Sequence, residues 1–297
     1  MHKLDYLKLH ISVLLSGFTG LFAKLVSLNE GLIVFYRMIL AFFIVTIMFF
    51  LTKQKPAKKA CGKICALGVL LAIHLIFFFG SIKYSNVSIG VVCYSLVGFF
   101  TVIFEPLIRK TKFSFSDLCY SLIAVLGIWL IFNFDTSYRF GIILGVVSAA
   151  LFALYTIYNK SLEVETNSML FYEFLGGSLF MLGVLPVYLA FSPVETILPT
   201  GIEWIWLFIL AFFCTVLLYL FHLGALKTIS ACTVSLTGNL EPIYGILFAI
   251  IFLGEAQSLS AAFYIGMILI LSSVFLQTFF QSTGFLRKRS TVLIKKV

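Results

Sequence analysis

The chain has 297 residues, of which 61% are hydrophobic and only 11% charged, and it carries a formal net charge of +9. Soluble domains carry about a quarter charged residues, so a water-soluble globular protein is excluded and lipid must be the solvent for much of the chain. The positive balance then reads as membrane topology and contact with a bilayer of anionic headgroups, not as a nucleic-acid surface.

A helix needs about 20 apolar residues to cross about 30 Å of hydrocarbon. On that ruler the sequence predicts ten spans joined by short connections. The first, 9–26, follows Lys3 and Lys8 as a signal peptide would, but no small-x-small cleavage pattern closes it. It is expected to remain as a helix, with Thr19 a candidate solute contact. The second, 32–52, carries Arg37 about five residues in, near 8 Å deep. Snorkelling to the interface is the expected role of Arg37, with gating as the alternative.

The third span, 64–82, places His74 near mid-depth, where an imidazole either relays protons or binds a solute carboxylate. The plainer reading is a neutral histidine bonded to a neighbouring helix. The fourth, 87–108, aligns Tyr94, Gly98, Thr101 and Glu105 on one stripe, with Ser95 beside Tyr94 also within reach of a cavity. Glu105 stands four positions before Arg109, which predicts a helical ion pair. After a fifth span at 116–134, the sixth, 140–158, opens on Gly141 and Gly145, a small-xxx-small pair suited to close packing. The sixth also carries Tyr155, a candidate gate.

The seventh span, 168–190, places Glu173 at the depth of Arg37, where snorkelling is again expected. The eighth, 202–222, carries Tyr219, a second candidate gate. In the ninth, 230–252, Ser230, Thr233, Thr237, Glu241 and Tyr244 share helical spacing, and Asn239 stands among them. Such a stripe should face a cavity, because lipid would strand its polar atoms. Glu241 lies about eleven residues, about 16 Å, from either end of its span and thus at the midplane. Intramembrane carboxylates mark function by default: Glu241 either binds a solute amine or carries a coupling proton, or it helps knit a kink at Pro242. The tenth span is 260–280.

Seventeen of the 21 basic residues fall in alternate connections, among them Lys53 to Lys63, Arg109 to Lys112 and the tail from Arg287. Lysine and arginine accumulate on the cytoplasmic side, which places both termini there, in a plasma membrane of bacterial inner-membrane type. Lys24, Lys83, Lys160 and Lys227 end helices and are expected to cap them. Of the six cysteines only Cys61 and Cys65 are neighbours, without a histidine or third cysteine beside them, so no zinc site is expected. No cofactor is expected either.

The chain also repeats itself. A shift of 136 residues lays Lys24 on Lys160 and Phe35-Tyr36-Arg37 on Phe171-Tyr172-Glu173, and a shift of 144 lays Gly80-Ser81-Ile82-Lys83 on Gly224-Ala225-Leu226-Lys227. Each match joins helix n to helix n+5, and five is odd, so the second half enters the membrane from the opposite side. The predicted fold is an all-α integral membrane protein with ten transmembrane helices as two inverted-topology five-helix repeats, a plan typical of secondary transporters. The halves are 1–135 and 136–281, followed by a basic tail at 282–297.

The stretch Gly224-Ala225-Leu226-Lys227, then Asn239-Leu240-Glu241-Pro242 and Leu253-Gly254-Glu255, resembles the second repeat of the EamA family of the drug/metabolite transporter superfamily, as Phe35-Tyr36-Arg37 resembles its second helix. The first half departs from the pattern, with Gly98 opposite Pro242 and Arg109-Lys110-Thr111 opposite the "LGE" motif. The resemblance implies alternating-access transport of amino acids, nucleotide-like metabolites or drugs, through a cavity lined mainly by helices one, three, four, six, eight and nine. A membrane enzyme would need clustered catalytic groups or a glycine-rich phosphate loop, and a channel a selectivity ring; none is visible. The expected function is a secondary transporter of a small organic solute and not an enzyme. Its oligomeric state is open, a homodimer being one option.

Overall fold

The computed structural model describes residues 2–110, 113–238 and 240–282. Most of the expected tail and Thr111 therefore lie outside the described residues. All regular structure among them is helical: α1 (His2–Lys24), α2 (Glu30–Thr52), α3 (Cys61–Tyr84), α4 (Val87–Tyr94), α5 (Val97–Arg109), α6 (Phe115–Phe134), α7 (Arg139–Lys160), α8 (Thr166–Phe191), α9 (Gly201–Ala211), α10 (Leu218–Thr228), α11 (Ala231–Gly238), α12 (Glu241–Leu253) and α13 (Ala261–Ser282). Eight helical stretches are long and apolar enough to cross a membrane, counting α4–α5 and α9–α10 as one stretch each; Glu241–Leu253 and Ala261–Ser273 are shorter apolar helices.

Short polar side chains set where helices begin. Asn29 accepts the Leu32 N–H at 2.9 Å, Asn86 the Ile89 N–H at 2.8 Å and Ser230 the Thr233 N–H at 3.1 Å, each satisfying an amide that the first turn leaves free. Glu203 does more. It closes a capping box on Thr200 and accepts the Ser27 N–H at 2.6 Å, tying the α1–α2 connection to the start of α9.

Close packing holds the bundle together, as it must where lipid offers no hydrophobic drive between helices. Helix α3 lies along α7 and α8, α6 pairs with α13, and α1 packs against α10 and α12. The α3–α8 crossing is the tightest: a Cβ at Gly176 would stand 2.2 Å from the Cys65 carbonyl oxygen. Gly141 and Gly145 bring α7 against Ser85 and Cys93, as the small-xxx-small spacing predicts. The outer surface is studded with exposed Phe43, Phe50, Trp129 and Phe191, a surface suited to lipid.

The helix-ending lysines reach further than their own helices. Lys83 Nζ donates to the Val26 carbonyl at 2.7 Å, just past α1, and Lys227 Nζ donates to the Val164 carbonyl at 2.6 Å, just past α7. Lys160 grips the Leu226 and Ile229 carbonyls at the end of α10, whereas Lys24 is exposed. Glu105 and Arg109 form the expected ion pair at 3.4 Å.

Gly176→Ala is expected to lower the thermal unfolding midpoint of the detergent-solubilised protein by several degrees, since overpacking costs about 1–3 kcal/mol. Gly183→Ala on the same helix, with nothing within 4 Å of the added Cβ, should not. Equal midpoints for the two variants would show that the α3–α8 crossing can give way.

Candidate functional site

Two spans are interrupted deep in the bundle, at positions 144 residues apart. Between α4 and α5, the Ser95 and Leu96 amides turn to carbonyls three residues back, Val92 and Cys93, both at 3.1 Å. Between α11 and α12, the Leu240 amide likewise bonds the Thr237 carbonyl at 3.0 Å. Pro242 sits in the first turn of α12, where its missing N–H leaves no bond unmade, so it starts a helix instead of kinking one. Asn239 lies outside the described residues.

Glu255 holds the outer end of the first interrupted span. Its carboxylate accepts the Val87 and Ser88 N–H groups, both at 2.9 Å, and the Ser88 hydroxyl at 2.7 Å, anchoring the N-terminus of α4. An acidic group at that position also meets the positive end of the helix dipole. This gives the glutamate of Leu253-Gly254-Glu255 a physical task, and Gly254, at φ +67°, makes the left-handed turn that delivers it.

A cavity of about 50 Å³ lies where the interruptions meet. It is lined from α1, α3, α4–α5, α7, α10 and α11–α12, the helices that the sequence resemblance implied, with one addition from α2, Arg37. The volume is far below the roughly 300–1,000 Å³ of sites for drug-sized ligands, so the protein is closed around its polar centre.

Arg37 does not snorkel. It is 1% exposed and points inward across the bundle. Its Nε donates to Thr215 Oγ1 and its Nη2 to the Cys214 carbonyl, while Phe79 lies 5.4 Å beneath the guanidinium. The acceptors come from a π-helical turn, Phe212–Leu217, in which the Thr215 hydroxyl reaches back to the Leu210 carbonyl at 2.8 Å. Such turns expose backbone acceptors and often mark functional sites. Arg37 Nη1 has no partner. Glu241, 4% exposed at the first turn of α12, lines the same cavity with Ser16 beside its carboxyl, and no salt bridge joins it to Arg37.

His74 is bonded to a neighbouring helix, and its ring lines the cavity. Its Nδ1 lies 3.0 Å from the Ser148 carbonyl, which only accepts, so Nδ1 carries the hydrogen and Nε2 is the acceptor of a ring that lines the cavity. Tyr94 and Thr19 also line it. Other expected residues lie elsewhere. The Ser95 hydroxyl turns back to Val92 at 2.6 Å and Thr237 to Thr233 at 2.9 Å, and neither lines the cavity. Tyr244 packs its Cβ over Gly17 instead. The stripe drawn through the ninth span assumes one continuous helix; α11 and α12 are separate, so its phase is lost at the break. Ser235 takes the inward position, and since the Thr101 hydroxyl donates to Val97, Ser235 donates to Thr101 across 3.1 Å.

Tyr219 lines the cavity and Tyr155 stands behind it, edge-on at 5.9 Å. Glu173, also expected to snorkel, is fully buried and accepts the Tyr155 hydroxyl at 2.8 Å. The sequence reading missed Ser12 and Ser16, which form a helical stripe with Thr19, and His222, one turn beyond Tyr219 with its Nε2 unpartnered. Both were visible as spacing.

Fold and site together define an integral membrane protein enclosing a polar centre that holds a guanidinium and a carboxyl. The model of the EamA-like transporter family matches residues 5–133 and again 139–279. The chain belongs to this family of membrane transporters. No curated protein matches it in sequence. Among solved structures, the crystal structure of a protein 16% identical to it superposes with a TM-score of 0.69 over 94% of this chain and 98% of that one, a likeness of fold.

Glu255→Ala should leave the Val87 and Ser88 amides buried and unpaired, at about 1–3 kcal/mol for each such group. We expect a clear drop in thermal stability in detergent, with Glu255→Gln intermediate. A midpoint equal to the unsubstituted protein's would mean that α4 is held by packing alone.

Proposed function

We propose that this chain is a secondary transporter that moves a small organic solute by alternating access, binding it between Arg37 and Glu241. The observation that carries this reading is a buried guanidinium and a buried carboxyl that line one cavity without closing on each other. A buried charge is costly unless compensated, and a structural role for the two would be met by direct contact. Left apart, they suit a solute that carries both signs. An amino acid fits best among the amino acids, nucleotide-like metabolites and drugs considered: its carboxylate meets the free Arg37 Nη1 and its ammonium meets Glu241.

The spans are ten, with α11–α12 read as an interrupted ninth and α13 as the tenth, and the halves 1–135 and 136–281 are inverted repeats. The paired interruptions, the matching caps Asn86 and Ser230, and the matching grips of Lys83 on Val26 and Lys227 on Val164 support this. Interrupted helices at corresponding positions of two halves are the sequence-readable mark of a midplane site. The basic connections support cytoplasmic termini in an inner membrane. In this closed state solute enters only after one half rocks against the other.

Purified protein in liposomes should exchange labelled amino acids. Glu241→Gln, nearly isosteric, should fold normally and lose about 2 kcal/mol or more of solute affinity, roughly 30-fold. Arg37→Lys should also fail, because a single ammonium nitrogen cannot reproduce the planar fork that holds Thr215 and Cys214 and leaves another nitrogen for the solute. Unchanged exchange in Glu241→Gln would make that carboxyl structural.

A further inference from the structure

Behind Tyr219, outside the cavity lining, is a second buried acid that the solute site does not use. Glu173 on α8 is 0% exposed, and its backbone is pressed by α3, where a Cβ on Gly68 would stand 1.9 Å from the Glu173 carbonyl oxygen. One carboxyl oxygen, Oε2, accepts the Tyr155 hydroxyl at 2.8 Å, while Oε1 has no partner. Asn159, one turn beyond Tyr155 and also buried, lies beside Glu173. It turns its amide NH2 to the Tyr155 carbonyl at 3.2 Å, and its Oδ1 is likewise unpartnered.

The two orphaned atoms are both acceptors, on side chains within hydrogen-bonding reach of each other. Reversing the Asn159 amide would not help, since it would set Oδ1 against the Tyr155 carbonyl. A single hydrogen on Glu173 resolves both: a protonated carboxyl donates once and keeps acceptor capacity. No cation among the described residues stands close enough to compensate a charge there. Helix α7 presents Tyr155 and α10 presents Tyr219, both neutral phenols. From α2, Arg37 turns its guanidinium to Thr215 and Cys214; from α3, His74 is bonded to Ser148. Among the described residues no salt bridge reaches Glu173.

We propose that Glu173, with Asn159 and Tyr155, is a proton site separate from the solute site, and that its proton is the coupling ion of transport. In the closed state Glu173 carries the proton and donates it as a hydrogen bond to Asn159 Oδ1. When the Tyr155–Tyr219 contact parts, water reaches the carboxyl, which releases the proton to one side and takes up another from the opposite side. The step breaks and forms only an O–H bond. The edge-on rings link the two sites, because Tyr219 belongs to the cavity wall and Tyr155 to the acid. This inference rests on the transport reading for its coupling role, while the protonated state stands apart from it.

Two measurements separate the parts. In the first, infrared spectra of the full-length protein in detergent are recorded against pH. A protonated-carboxyl stretch that disappears in Glu173→Gln is expected, and Tyr155→Phe, which keeps the packing, should shift the pH at which the band titrates. A band unaltered by Glu173→Gln overturns the proposal, whatever the transport result. If Glu173→Gln fails to fold, Asn159→Leu serves: loss of the acceptor should shift the band's frequency, and an unmoved band overturns the assignment.

In the second, liposomes holding labelled amino acids are driven by a pH gradient, a sodium gradient or no gradient. The unsubstituted protein should accumulate solute with the pH gradient, and Glu173→Gln should retain exchange yet lose at least about tenfold of that accumulation, equivalent to about 1.4 kcal/mol of lost driving force. Accumulation driven by sodium, or retained in Glu173→Gln, overturns the coupling role. Absence of exchange by the unsubstituted protein with every amino acid counts instead against the solute reading, and the infrared result then decides Glu173 alone.

Discussion

Inside hydrocarbon every backbone amide and carbonyl must find its partner within the protein, because an unsatisfied group there costs several kcal/mol. Continuous helices meet that demand unaided. The breaks between α4 and α5 and between α11 and α12 do not, so they can exist only where other helices enclose them and side chains supply the missing bonds. Asn86, Ser230 and Glu255 anchor the outer ends of the broken spans, and three-residue-back bonds tighten the inner ends. The remaining polar interior is arranged around these two interruptions. They bring Tyr94, Ser235 and Glu241 to the centre, and they exclude the continuous stripe that an unbroken ninth span would have offered.

Arg37 obeys the same rule by another device. A guanidinium far from water needs acceptors in a fork, and ordinary helices have none to spare because each carbonyl is engaged along the axis. The π-helical turn at Phe212–Leu217 widens one turn and presents the Cys214 carbonyl and the Thr215 hydroxyl side by side. Two of the three guanidinium nitrogens are thereby fixed. The third is buried without a partner, where a low dielectric strengthens whatever it meets. Preorganisation of this kind lowers the cost of binding, since the cation is already desolvated and positioned before any solute arrives.

The sequence revealed where helices lie more readily than which way their side chains point. Length and apolarity mark the spans, and the caps Asn29, Asn86 and Ser230 stand just before their helices. Glu105 and Arg109 declare their ion pair by a spacing of four. Glu241 and His74, read as mid-membrane groups, both line the cavity. Azimuth was not legible. Arg37 and Glu173 were given to the interface, yet both are buried in the bundle, because hydrophobicity on every side of a span hides which face is inward. The missing signal at Arg37 is its acceptor, which lies 178 residues away in a turn whose π geometry no local spacing announces. Thr237 and Tyr244 stand outside the cavity lining for a different reason: helical periodicity was carried across a break that separates two helices.

Arg37 and Glu173 occupy matching places in the two repeats, following Phe35-Tyr36 and Phe171-Tyr172. Matching backbones would put both side chains in the same environment of their own half, and in both cases the charged end does turn inward. The difference arises from what each meets. Arg37 finds a widened turn and an opening beside it; Glu173 finds a phenol, an amide and the pressed backbone of α3. A cation that cannot shed its charge has to be solvated by fixed acceptors, whereas an acid can be made neutral by one proton. Duplication thus supplies two equivalent posts, and the chemistry of the occupant decides their uses. On the proposed reading, the arginine post holds a charge permanently for the solute, and the glutamate post holds one intermittently for the ion that drives it.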